Sequence, residues 1–277
     1  MSNSGDRAGR PQRLRQAGHI FDDGYYTSYN VFGGSPAGGF TSVALCASDR
    51  TKMPAGQPAT TLFAPVAFYA GGAFFLPADV DGVTAPTTVA QGNIFARYSF
   101  GGVSLRLMKL KPDFSAGTAT LNNGMGGAPG TFINLPVGPT TVACSDNGVA
   151  CVAQPTTAHK LDTLGDRLMY QLLDRNRGGV DSLMVVQSVD PDGAGARSSA
   201  VRWYEIRNPF AAAPTLFQNA TYDPGAGGDR WTGFVAMDCW RRPKTDPRGC
   251  GQKLGLVKQR SPGSCGARRD CGSRVRS

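Results

Sequence analysis

Between Ile20 and Asp238 the chain is broken into short runs of β-type residues by clusters of glycine, proline, asparagine and aspartate. β-Branched and aromatic side chains fit the pleated surface of a strand, and the intervening residues supply turn conformations, so an all-β fold is expected. Candidate strands are Tyr25–Phe32, Phe40–Ala47, Asn93–Phe100, Val103–Lys111, Thr131–Leu135, Thr141–Cys144, Ser182–Val189, Ala200–Arg207 and Arg230–Ala236. In Ala200–Arg207, Val201, Trp203 and Glu205 alternate with Arg202, Tyr204 and Ile206. Both faces of that strand carry apolar groups, so it should be covered on both sides, with Glu205 or Arg202 near a rim.

One segment competes with this reading. In His159–Asn176 the residues Leu161, Leu164, Leu168 and Leu172 fall at helical spacing, with Met169 and Leu173 alongside. The apolar run is short, so its period does not discriminate. A turn at Gly165-Asp166 followed by an extended Arg167–Leu173 is the expectation. Acidic turns precede several strands, at Asp22-Asp23-Gly24, Asp79-Val80-Asp81-Gly82, Gly165-Asp166 and Gly228-Asp229. Their loose recurrence suits four-stranded units with long connections, as in propeller blades.

Charge divides the chain. Residues 239–277 hold eleven lysines and arginines against two aspartates, and the other residues balance at eighteen of each. The net +9 therefore belongs to the C-terminal segment. Such a segment can contact phosphates, through Arg241-Arg242, Lys244 and Arg268-Arg269, but it lacks the interleaved aromatics of single-strand binders. Nucleic acid is disfavoured as a partner. The first 19 residues carry four arginines and no apolar stretch, so no signal peptide is read in them. No apolar run is long enough for a membrane-spanning helix. Residues 1–19 and 239–277 are expected to be basic, disordered flanks of a domain at 20–238.

Several segments together carry a resemblance: DDGYYTSYNVF (22–32), CASDRTKMPAGQPAT (46–60), LPADVDG (76–82), HKLDTLGDRLMYQLLDRN (159–176), VRWYEIRNP (201–209) and RWTGFVAMD (230–238). They resemble a group of uncharacterised bacterial secreted proteins of β-propeller form, of the broad sialidase-like kind. The resemblance implies a propeller-like fold and an extracellular or periplasmic location; it implies no catalytic residues. In that group the segment matching RWTGFVAMD continues into another apolar strand, whereas here it runs into arginine-, cysteine- and proline-rich sequence. That change predicts a shifted reading frame, or a gene fragment, near residue 238. The expected architecture is an incomplete ring of four-stranded blades.

Chemistry-bearing residues are sparse. Two histidines, His19 and His159, and no Gly-x-Ser-x-Gly elbow leave little for nucleophilic catalysis. Glycoside hydrolysis ordinarily needs two carboxylates, and Glu205 is the one glutamate in the chain. Tyr204 and Glu205 are adjacent on a strand and point to opposite faces. The weak catalytic candidates are Glu205, Asp166 and Arg202. Cys144 and Cys151 flank an Asn147-Gly148 turn and are a disulfide candidate in an oxidising compartment. Cys46 reads as a buried apolar residue. Cys239, Cys250, Cys265 and Cys271 lack the close pairs of a zinc site. The Asp79/Asp81 and Asp190/Asp192 turns each offer two carboxylates, short of a calcium shell. No cofactor or metal is expected. The leading function is a non-catalytic binding or surface protein, for carbohydrate or protein; the alternatives are a sialidase- or glycosidase-like enzyme and non-specific nucleic-acid binding by the basic tail.

Overall fold

The structure is a computed structural model that describes residues 13–20, 24–33, 39–67, 74–81, 84–87, 92–99, 103–122, 132–144, 150–193, 199–211, 213–223, 228–240 and 251–254. Among these residues every regular element is a strand, as the turn-punctuated sequence requires. The first sheet is an antiparallel meander of β1 (Arg13–Ile20), β2 (Gly24–Phe32), β3 (Phe40–Asp49) and β4 (Thr61–Ala67), in chain order. A ten-stranded sheet follows. One half is the antiparallel meander β5 (Leu76–Val80), β6 (Asn93–Tyr98), β7 (Ser104–Asp113) and β8 (Thr118–Asn122). β9 (Ile133–Pro136) continues the outer edge of β7 beyond β8. β10 (Thr141–Val142) pairs with the end of β14, and β11 (Ala150–Ala153) forms a small hairpin with β12 (Lys160–Asp162). The other half is the meander β13 (Leu168–Arg177), β14 (Val180–Asp190), β15 (Ala200–Arg207) and β16 (Thr215–Tyr222). The two halves join where β13 runs parallel to β5, with Leu172 opposite Ala78 and Asp174 opposite Val80. β17 (Met237–Trp240) pairs with β18 (Gly251–Leu254).

The ordering of residues explains the layers. One face of each meander feeds a common core: Tyr26, Val43 and Leu45 from the first, Ile94, Leu105 and Leu107 from the second, and Leu172, Leu183, Tyr204 and Ile206 from the third. β14 is buried from Asp181 to Asp190, which its near-continuous apolar sequence permits. The opposite face of β13–β15 carries a second cluster of Met169, Leu173, Met184, Val186 and Val201. A bulge between Met169 and Leu173 shifts the register of β13 against β14. The two-sided burial expected for Ala200–Arg207 is thus found. So is the turn before an extended segment in His159–Asn176: residues 165 and 166 form a turn and β13 begins at Leu168. The leucine spacing there reflects burial on both faces of a strand rather than a helical stripe.

Arg230–Ala236, expected as a strand, is not one. The edges of β14 are taken by β13 and β15, so this segment crosses their outer face instead of joining a ladder. Val235 and Met237 cap the second cluster. Arg230 donates its N–H to the Ser199 carbonyl at 2.7 Å, and Thr232 donates its N–H to Ser188 Oγ at 3.1 Å. β1 begins at Arg13 and β17 ends at Trp240. No closed barrel or propeller ring is formed among the described residues.

Candidate functional site

A cleft of about 330 Å³ opens where the ends of the third meander meet the segment entering β10. Its walls are Pro139, Thr140 and Thr141 on one side, and the turn from Val189 to Gly193 on the other; Arg202 of β15 and Thr221 of β16 complete it. Local sequence fixes both walls. Asp190 Oδ1 accepts the N–H groups of Asp192 at 3.0 Å and Gly193 at 3.2 Å, a short aspartate turn. Thr141 is held opposite Asp190 by the β10–β14 ladder.

Beneath the cleft lies a hydrogen-bonded layer. Arg202 Nη2 donates to the Val137 carbonyl at 3.2 Å and to Asn219 Oδ1. The Tyr98 and Thr140 hydroxyls are bonded to each other. Tyr204 donates to Gln187 Oε1 at 3.0 Å, and Gln187 Nε2 donates to the Gly165 carbonyl at 3.0 Å. Burial raises the pKa of both tyrosines, far above the ordinary phenol for Tyr204. They therefore stay neutral and act as hydrogen-bonding supports. The chemistry on offer in the cleft is hydroxyl, carboxylate and guanidinium groups, suited to holding a polar ligand.

The three catalytic candidates are dispersed. Arg202 points to the face that carries Tyr204, as its place in the cleft shows. Glu205 lies three residues on, at an odd spacing that puts it on the other face of β15. It is fully buried, accepting Arg207 Nε at 3.0 Å, Gln218 Nε2 at 2.5 Å and Ser182 Oγ at 3.4 Å. Asp166 sits in the turn before β13 and holds Arg167 through two bonds of 2.6 and 2.7 Å. Arg167 in turn stacks 3.4 Å from the Phe74 ring centroid. Glu205 and Asp166 each bind a neighbouring arginine, so each reads as a structural ion pair.

Cys144 and Cys151 form a disulfide with Cα atoms 5.6 Å apart. With Val152, Leu161 and Trp231 they make a small separate cluster. The Asn147-Gly148 turn lies outside the described residues, as do Cys250, Cys265 and Cys271. Cys46 is buried in β3. His159 is exposed, its N–H bonded to Thr157 Oγ1 at 3.2 Å. Among the described residues no three histidine, cysteine, aspartate or glutamate side chains converge on a metal position. Asp79 accepts a bond from Gln171, and the Asp190 turn is closed by its own backbone bonds.

Sequence reasoning missed the buried charges. Lys109 and Arg97 are each 1 % exposed, and Asp174 is fully buried. A lysine between Met108 and Leu110 was the one local hint, and it also fits a half-exposed strand. In comparisons with known protein families, curated proteins and solved structures, nothing matches the chain.

Proposed function

We propose that the chain is a non-catalytic carbohydrate-binding protein with a β-propeller-like frame of the sialidase-like kind, exported from a bacterial cell, whose ligand occupies the cleft at Arg202. The observation that carries this reading is a preformed cleft of hydroxyl, carboxylate and guanidinium groups, backed by a fixed hydrogen-bonded layer, while Glu205 and Asp166 are engaged in ion pairs elsewhere. Three successive four-stranded meanders support the frame. Their first strands adjoin: β1 lies against β5, and β5 runs parallel to β13. Successive blades around an axis place their inner strands in that way. The Cys144–Cys151 disulfide supports export, since such bonds persist in oxidising compartments.

A glycan array probed with the full chain, with the mass of each retained glycan measured afterwards, tests the reading. Retention without change of mass is expected. Arg202→Ala should weaken binding by roughly 10- to 100-fold, the value of a charged hydrogen bond, and Glu205→Gln should leave it intact. Cleavage of a glycan or an aryl glycoside, lost in Glu205→Gln, would establish the glycosidase alternative. Failure to retain any glycan would remove the carbohydrate assignment.

A further inference from the structure

Asp174 in β13 is fully buried, and among the described residues neither of its carboxylate oxygens has a hydrogen-bond partner. A bare carboxylate in a core is among the costliest groups a protein can hold, and it must acquire a proton or a cation. Its immediate neighbours across the sheet are apolar: Leu183 on β14 and Val80 on β5. The exception is a second carboxylate. Asp181, the second residue of the facing strand, is 4 % exposed and lies close enough for its charge to act on Asp174. Burial first, and Asp181 second, push the Asp174 carboxyl up to about 8.

The segment 85–87 closes over the same end of the hairpin. Asp181 accepts the Thr87 N–H through both oxygens, at 3.2 and 3.0 Å, and also accepts the Thr87 hydroxyl. Asn176, opposite Asp181, donates to the Ala85 carbonyl at 2.8 Å. Two buried carboxylates are thereby brought beside the hydroxyl and main-chain oxygen of an exposed segment, and among the described residues no ammonium or guanidinium bonds to the Asp174 carboxylate. All the donors are hard oxygen.

We propose that Asp174 and Asp181, with the Thr87 hydroxyl and main-chain oxygen of the 85–87 segment, bind one calcium ion. Its double charge balances the two carboxylates, which can supply four of the 6–8 oxygens calcium takes. Thr87, main-chain oxygen and water complete the shell. With two carboxylates rather than three or four, the affinity belongs with extracellular modules, at about 10⁻⁴–10⁻³ M. Calcium would fasten the β13–β14 hairpin to 85–87. The site is separate from the cleft at Arg202, so either can fail without the other.

Thermal unfolding of the full chain at pH 7.5, first in chelator and then with calcium chloride at constant ionic strength, tests the site. At 10 mM calcium a rise in Tm of about 3–6 °C is expected for millimolar affinity. Magnesium, which holds its waters, should give less, and sodium none. Asp174→Asn should abolish the response. An absent calcium shift, an equal shift with magnesium and sodium, or an unchanged shift in Asp174→Asn overturns the proposal. If Asp174→Asn does not fold, equilibrium dialysis of the wild-type chain against labelled calcium decides: one ion per chain supports the site, and no saturable binding overturns it.

Discussion

Lys109 shows how this fold treats charge at the level of one residue. Its side chain is buried, Nζ donates to the Phe210 carbonyl at 2.7 Å and lies 5.5 Å from the Phe210 ring centroid. Burial lowers its pKa from 10.5 to about 8. The unfolded chain therefore binds more protons than the folded one between those values, and stability rises with pH across that window. The gain is roughly 3 kcal/mol at most, at 1.36 kcal/mol per pH unit. Urea midpoints at pH 7.5, 9 and 10 should show it as a difference between the wild-type chain and Lys109→Met, which lacks that contribution to the slope. Equal slopes would mean that Lys109 stays charged in the fold. Arg97 is handled through rings: its guanidinium lies 5.5 Å from Phe75 and 5.7 Å from Phe132, whose rings stack at 5.9 Å. Arg106, opposite it on β7, lies 5.5 Å from the same Phe132 ring. Burial, with Arg106 second, lowers Arg97 to about 10. Cation–π contact offsets part of the desolvation of such a pair.

At the scale of elements, turns and edges account for what could be read from the chain. β2, β3, β6, β7, β14 and β15 were legible because their apolar residues are buried and their ends are marked by turn residues. The strands overlooked are those that bury less or contain proline. β4 carries Pro65 and is an edge, where a missing N–H is tolerated. β5 carries Pro77 and Asp79, and β16 is a half-exposed edge with polar alternation. β1 is largely polar and shows no apolar alternation in its sequence. The β13–β14 hairpin turns on Gly178-Gly179, both at positive φ, as a two-residue connection demands. Gly92 is equally constrained: at φ 86°, a Cβ there would meet the Leu110 carbonyl oxygen at 2.3 Å. The site was less legible than the fold, since the cleft depends on β10 meeting β14 across a sequence gap of about 50 residues. The disulfide closes a short loop, and that closure is worth about 2 kcal/mol. Cys144→Ser with Cys151→Ser should lower Tm by about 4–8 °C and shift the emission of Trp231, which packs on the bridge. An unchanged Tm would show that the bridge contributes nothing to stability.

For the molecule as a whole, three meanders share one core, and among the described residues β4 and β16 have no further strand paired to their outer edges. β4 and β16 expose Phe63 and Phe217, at 68 % and 48 %, and such edges favour association. The basic excess of residues 239–277 has no counterpart in the cleft, where Asp190 and Asp192 stand beside Arg202. The cleft thus offers both signs of charge together with hydroxyls, which fits a hydroxyl-rich ligand better than a polyanion. Amide hydrogen exchange of the full chain, with and without a glycan retained in the array, addresses this most directly. Slower exchange in 139–141 and 189–193, with the glycan recovered at unchanged mass, is the expected result. Protection around Glu205 and Gln218 instead, or a glycan recovered as fragments, would contradict it.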